Sequence, residues 1–189
     1  MPRTADPELE ERILNAAQRL WHSRGDQGLT LRGVAKAAGT TTTTVYKRFR
    51  SKEELRNALA ERARQRLAKA IIGASSLEDA YRKYLRQAQT NPREYRLLFG
   101  PAWIHVVGDR RRPRPVQNWM QAQLAARFGG ASDEYLLAFY AFFLLLHGAA
   151  SLIAVAPHSR ANKEAEENCI AVCKLLLRNM KIFGGGTGS

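Results

Sequence analysis

The chain has 189 residues, 45% of them apolar and 25% charged, a composition that belongs to folded globular domains and excludes a disordered tail. Lys and Arg number 30 against 17 for Asp and Glu, a formal net charge of +13, and this excess favours a polyanionic partner, either nucleic acid or an acidic membrane surface. The only two cysteines, Cys169 and Cys173, exclude a disulfide framework and fall one pair short of a zinc site, so neither a metal nor another cofactor is expected.

Read in chain order, the sequence is helical throughout. Asp6 is a good N-cap with Pro7 at the first helical position and Glu8, Glu10 and Glu11 in the first turn, where acids suit the helix dipole. Apolar residues recur at Ile13, Ala16, Ala17, Leu20 and Trp21, one face of a helix that Gly25 ends. Thr30 caps a short second helix with Leu31, Val34, Ala35 and Ala38 on its inner side, stopped by Gly39. Ser51 caps a longer helix over about 52–72, and Ser76 opens another that runs to about 91. Pro92 starts a helix to about 107 with a Gly100-Pro101 interruption, and the basic stretch 108–115 reads as a solvated loop. A helix over 115–128 ends at Gly129-Gly130.

Ser132 is expected to cap the most apolar element. Residues 135–157 carry no formal charge, and the run 136–155 is nearly all apolar, long enough to cross a bilayer. The plainer reading is a helix buried on all sides by other helices or by a second subunit. The last helix sets Ala165, Cys169, Val172, Cys173, Leu176 and Met180 on one face. Residues 184–189 read as a flexible tail, and the polar residues 1–6 lack the apolar core of a secretory signal, which leaves the cytoplasm as the expected location.

One segment conflicts with this pattern. Residues 40–46, Thr-Thr-Thr-Thr-Thr-Val-Tyr, are all β-branched or aromatic and favour a strand by propensity. A solitary strand in a helical chain has no partner, however, and Val45 and Phe49 are spaced as on a helix docked on its neighbour. Two short helices joined by a glycine turn form a helix-turn-helix, whose second helix enters the DNA major groove. From 27 to 52 the chain has six basic residues, Arg32, Lys36, Lys47, Arg48, Arg50 and Lys52, and no acid. Together these features point to DNA.

The run Leu29-Thr30-Leu31-Arg32-Gly33-Val34-Ala35-Lys36-Ala37-Ala38-Gly39, then Thr44-Val45-Tyr46-Lys47-Arg48-Phe49 and Ser51-Lys52-Glu53-Glu54-Leu55, resembles the tetracycline-repressor-like (TetR) family of bacterial regulators. The resemblance implies an all-α fold: a three-helix DNA-binding domain over about 8–68, with the helix-turn-helix at about 31–50, and a larger ligand-binding and dimerisation domain over about 76–183. Asn91-Pro92-Arg93-Glu94-Tyr95-Arg96-Leu97-Leu98-Phe99-Gly100 and Leu146-His147-Gly148 are similar to a subgroup with a Trp-His-Gly signature, Leu146 standing where the Trp is usual. Thr40 and Arg48 are further departures, from an apolar residue and from a His or Tyr respectively. By position the family pattern implies phosphate contacts from Thr30, Tyr46 and Lys52, with Thr41, Thr44 and Arg48 as further candidates. It implies base-edge contacts from Thr42, Thr43 and Lys47. The residue chemistry agrees: hydroxyls and ammonium groups bind phosphate oxygens, and Lys reaches guanine O6 and N7.

What the resemblance implies is a non-enzymatic, cytoplasmic regulator, a homodimeric repressor of a palindromic operator released by a small effector. A pocket for a largely apolar effector is expected from the aromatic-rich second half, at Phe99, Trp103, Trp119, Phe139 and Phe143, with His105, Gln123 and His147 as polar groups. The alternative is a small helical membrane-associated or structural protein built on the apolar 135–157 helix. Catalysis finds no support, because the four histidines are scattered and none lies in a ligand or nucleophile motif.

Overall fold

The computed structural model describes residues 7–99, 113–157 and 159–183, which are helical with no strand among them. In chain order the helices are α1 (Pro7–Gly28), α2 (Leu31–Ala37), α3 (Thr42–Arg48), α4 (Lys52–Ile72), α5 (Leu77–Thr90), α6 (Pro92–Leu98), α7 (Pro115–Phe128), α8 (Leu136–Val155) and α9 (Arg160–Arg178), with 3-10 turns at Ser132–Tyr135 and Met180–Phe183. The expected helix over 92–107 is described only as far as Leu98; the Gly100-Pro101 interruption, most of the 108–115 loop, Asp6, Trp103, His105 and the 184–189 tail lie outside the described residues.

Two apolar clusters organise the chain. The first gathers Ile13, Ala16 and Ala17 of α1, Leu31, Val34 and Ala35 of α2, Val45 and Phe49 around α3, and Leu55 and Leu59 from the start of α4. The second gathers Ile71 at the end of α4, Leu77 to Ala88 on α5, Tyr95 on α6, Met120 and Leu124 on α7, and the inner faces of α8 and α9. Helix α4 therefore contributes to both, and α6 does the same by packing Leu97 on the first cluster. The closest-packed pairs are α5 with α8 and α9 with α8, and Tyr81 stacks on the fully buried Phe142 with ring centroids 5.2 Å apart.

Local signals explain the boundaries. Thr30, Ser51, Ser76 and Ser159 each accept a hydrogen bond from a backbone N–H in the first turn of their helix, satisfying a donor that has no helical partner. Gly25, at φ 63° and ψ −148°, breaks α1 as expected, but the chain resumes a helical turn to Gly28. Such a conformation is open essentially to glycine alone. Ser132 does not cap α8: it opens the 3-10 turn, where the Glu134 carboxylate accepts from the Ala131 N–H at 3.2 Å.

Helix α8 departs most from expectation. Together with the preceding turn, residues 132–155 are long and apolar enough to cross a membrane, yet only one side of α8 is buried among the described residues. Ala138, Phe142, Leu146, Ala150, Ile153 and Ala154 face the second cluster. Leu137, Leu144, Leu152 and Val155 are 62%, 64%, 66% and 77% exposed. Helix α9 corrects the stripe read from sequence. Cys169, Cys173 and Met180 are buried in this chain's own core and Leu176 packs against it, whereas Val172 and Leu175 lie exposed.

Candidate nucleic-acid interface and effector site

The turn between α2 and α3 is built by a local hydrogen-bond pattern. The Gly39 N–H donates to Lys36 O and the Thr40 N–H to Ala35 O, a Schellman arrangement that needs Gly39 at φ 64°. Helix α3 then forms in spite of its threonines, each of which disfavours a helix by a few tenths of a kcal/mol. Part of the offset is local: Thr41 Oγ1 accepts from the Thr44 N–H at 3.1 Å and lies 2.8 Å from Thr44 Oγ1. The rest is tertiary, through Val45 and Phe49, 0% and 5% exposed. Packing overrides the strand propensity of 40–46.

Burying Val45 and Phe49 sends the other side of α3 outward. Thr43, Tyr46 and Lys47 are exposed, and their i, i+3, i+4 spacing places them on one face of α3; Arg50, just past the extended C-cap Phe49, is exposed as well. Thr42, at the helix start, and Thr44 and Arg48 are half-buried. Thr30 and Lys52 lie at the N-terminal ends of α2 and α4. Two candidate cations are already paired: Lys52 Nζ lies 2.6 Å from Asp26 Oδ2 and Arg48 lies 3.2 Å from Glu10 Oε2. Sequence reading missed these carboxylates because they stand 26 and 38 positions away in the chain. Arg32 and Lys36 on α2 are exposed as well. The basic surface thus spans α2, α3 and the start of α4.

In the second half, Phe139, Phe143 and His147 form a ladder along α8, with Phe139–Phe143 and Phe143–His147 stacked at 5.9 and 5.6 Å. Phe99 lies 4.5 Å from the His147 ring. Four of the eight proposed pocket residues therefore come together. Trp103 and His105 lie outside the described residues, Trp119 is half-buried against the core, and Gln123 is exposed, one turn from it on α7. Gln123 contributes nothing to the ladder.

Two buried tyrosines, Tyr84 of α5 and Tyr95 of α6, are the polar partners of His147. The Tyr95 hydroxyl lies 2.6 Å and the Tyr84 hydroxyl 3.4 Å from His147 Nδ1. Burial pushes both tyrosine pKa values up and the His147 pKa down. A neutral imidazole accepting from Tyr95 at Nδ1 carries its proton on Nε2. The carboxylates of the region are engaged elsewhere: Glu94 is buried against Arg66 with His22 at 3.7 Å, Glu78 pairs with Lys174 and Arg82, and Asp79 with Lys83. A shallow cleft of about 540 Å³ lies elsewhere, along Asn15, Gln18, Arg19, His22 and Ser23 of α1.

Comparison with known proteins agrees with this arrangement. The family model for bacterial regulatory proteins of the tetR family matches residues 13–59, which run from α1 through the helix-turn-helix into α4. An uncharacterized HTH-type transcriptional regulator of Mycobacterium tuberculosis is 40% identical over 62 residues, 33% of this chain and 31% of that protein. The curated relative is thus matched over only about a third of its length. A TetR-family transcriptional regulator from Streptomyces coelicolor superposes with a TM-score of 0.65 at 23% identity, over 90% of this chain and 98% of its own. A TetR variant from Acinetobacter baumannii AYE in complex with minocycline gives 0.64 at 15% identity, over 89% and 94%. The multidrug binding protein EbrR complexed with imidazole gives 0.62 at 23%, over 93% of each chain.

The lowered His147 pKa has a definite consequence for stability. A group whose folded pKa lies below its unfolded value of about 6.5 contributes stability present at neutral pH and lost as pH falls through that value, because the unfolded chain binds the extra proton. Thermal unfolding between pH 8 and 5 is expected to fall more steeply for the native chain than for His147→Gln. Parallel curves would show that His147 charges freely in the fold.

Proposed function

We propose that the chain, whose residues 13–59 match the model for bacterial regulatory proteins of the tetR family, is a cytoplasmic, homodimeric transcriptional regulator of that family, a repressor that binds a palindromic operator and is released by a small apolar effector. The single observation that carries the DNA reading is the outward face of α3. Its core side is fully buried while Thr43, Tyr46 and Lys47 stand exposed together in a surface with Arg32, Lys36 and Arg50. In this reading Thr42, Thr43 and Lys47 face base edges, and Thr30, Thr41, Thr44, Tyr46, Arg48 and Lys52 face phosphates. Short threonine side chains limit hydrogen-bond reach, so part of the discrimination comes from DNA shape.

Homodimerisation is supported by the uncovered row on α8. Leu137, Leu144, Leu152 and Val155 together with Val172 and Leu175 of α9 are too apolar to face water as a contiguous patch. An isologous four-helix bundle with the same row of a second copy covers them. The exposed Gly148, with open space around its Cβ position, lets two helices approach closely. A dimer also presents two α3 helices to half-sites one helical turn apart or a multiple of it.

In this reading the effector binds at the Phe99, Phe139, Phe143 and His147 cluster, with Tyr84 and Tyr95 as its polar frame. Two structural neighbours are in complex with minocycline and with imidazole, which supports a ligand-binding role. With the nearby acids already paired, a neutral or weakly anionic molecule suits the site better than a multivalent cation. Effector release then works through α4, which belongs to both apolar clusters, and only to the extent that the ligand binds the DNA-free form more tightly.

Four measurements test this reading. Selection of bound sites from random DNA is expected to return an inverted repeat. Tyr46→Phe and Lys52→Ala are expected to weaken binding to all sequences, whereas Lys47→Ala changes preference at one base pair by about 1–3 kcal/mol. Sedimentation is expected to give a dimer that Leu144→Asp or Leu175→Asp converts to monomer, while Leu176→Asp, against the core, lowers thermal stability instead. A thermal-shift screen is expected to find apolar compounds that release DNA and that lose their shift in His147→Gln; hits confined to hydrophilic cations would refute the site.

A further inference from the structure

Resting on the DNA-binding reading, we infer that Asp26 and Glu10 attenuate duplex binding by holding, in the free protein, the two cations Lys52 and Arg48 that face phosphates in the complex. The geometry is direct. Lys52 Nζ lies 2.6 Å from Asp26 Oδ2, and the two side chains are 41% and 54% exposed. Arg48 Nη1 lies 3.2 Å from Glu10 Oε2, at 19% and 48%. Both carboxylates come from outside the helix-turn-helix, one from the first turn of α1 and one from its end. Lys47, by contrast, is exposed without a carboxylate partner among the described residues.

The two acids have clear structural work in the free chain. Lys52 occupies the first position of α4, where the helix dipole disfavours a cation, and Asp26 offsets that. Asp26 reaches it because Gly25, at φ 63°, turns the chain out of α1 just before. Glu10 ties α1 to the last turn of α3, as its neighbour Glu11 ties α1 to α4 through Arg62 at 3.0 Å. A DNA phosphate at Lys52 or Arg48 enters the place these carboxylates hold. Either the carboxylate is displaced, or two anions share one cation roughly 4–5 Å apart, a repulsion of order 1 kcal/mol or less in water. Both routes lower affinity, and both acids act without touching DNA.

Because the competing pairs are partly exposed, their effect is modest and salt-dependent. Asp26→Asn and Glu10→Gln are each expected to tighten binding by roughly three-fold, the scale of an exposed ion pair. The gain shrinks as salt shortens the screening length. The readout is fluorescence anisotropy of a labelled mixed-sequence duplex between about 50 and 200 mM salt, which requires no knowledge of the operator. A general loss of negative charge also tightens binding, so each variant is repeated over its cation: the gain from Asp26→Asn is expected to vanish in Lys52→Met, and that from Glu10→Gln in Arg48→Met. Unchanged or weaker binding by both single variants overturns the inference, as does a gain that persists without the cation. Native protein that fails to bind the duplex at low salt overturns the DNA-binding reading itself, a result distinct from binding that the acid variants leave untouched.

Discussion

Helix α8 imposes the constraint to which the second half of the chain answers. Its 20 residues carry no charge, so neither face is stable in water. One face is covered from within, by Tyr81 and its neighbours on α5 and by Cys169, Ile170 and Cys173 on α9. That single contact surface fixes the order of packing: α5 and α9 flank α8, and α6 and α7 close over its remaining inner positions. The outer row is left exposed among the described residues, and burying a leucine side chain is worth about 1.5–3 kcal/mol.

The first half is organised by a different balance. Its core is small, built largely from alanine, valine and leucine on four helices, and a cluster of that size gains little from area alone. Ion pairs between α1 and its neighbours supplement it, with Glu10 on Arg48, Glu11 on Arg62 and Asp26 on Lys52. Exposed pairs contribute at most about 1 kcal/mol each. They therefore orient the three helices more than they stabilise them, and they place acids at the border of a basic surface. The same charges that hold α3 and α4 in place temper the field that the surface presents.

Much of this was legible in sequence because it rests on local chemistry. The caps at Thr30, Ser51 and Ser76 and the glycine turn at Gly39 satisfy backbone groups within a few residues, and each is visible as a residue type at a fixed offset. The helical state of 42–48 was legible only through Val45 and Phe49, since propensity alone favours a strand. What sequence could not place was long-range. Apolar periodicity finds a helix face but does not say whether its own chain or another covers it, so Cys169 and Leu176 were grouped with Val172 although only Val172 is exposed. The pairing of His147 with Tyr84 and Tyr95 spans 63 and 52 positions, and no local pattern announces it. Ser132 shows the limit of the capping rule: a residue of the right type opens a 3-10 turn, and Glu134 supplies the hydrogen bond.

The link between the halves is narrow, and its chemistry decides how the halves influence each other. Helix α4 enters the first cluster with Leu55 and Leu59 and the second with Ile71. Beside it, Glu94 of α6 is buried between Arg66 of α4 and His22 of α1. Arg93 adds a hydrogen bond to His22 O, and the Trp21 indole donates to Arg93 O at 3.3 Å. Separating a buried carboxylate from its cation is far costlier than sliding apolar surfaces past one another. Helices α1, α4 and α6 are therefore bound most tightly at the point where the two clusters meet. A displacement of α6 is carried into α1 and α4 together, and α4 runs back to Lys52 at the edge of the basic surface. The aromatic ladder on α8 touches this arrangement through Tyr95, one residue beyond Glu94, so packing around His147 and the position of α4 are separated by a single turn of α6.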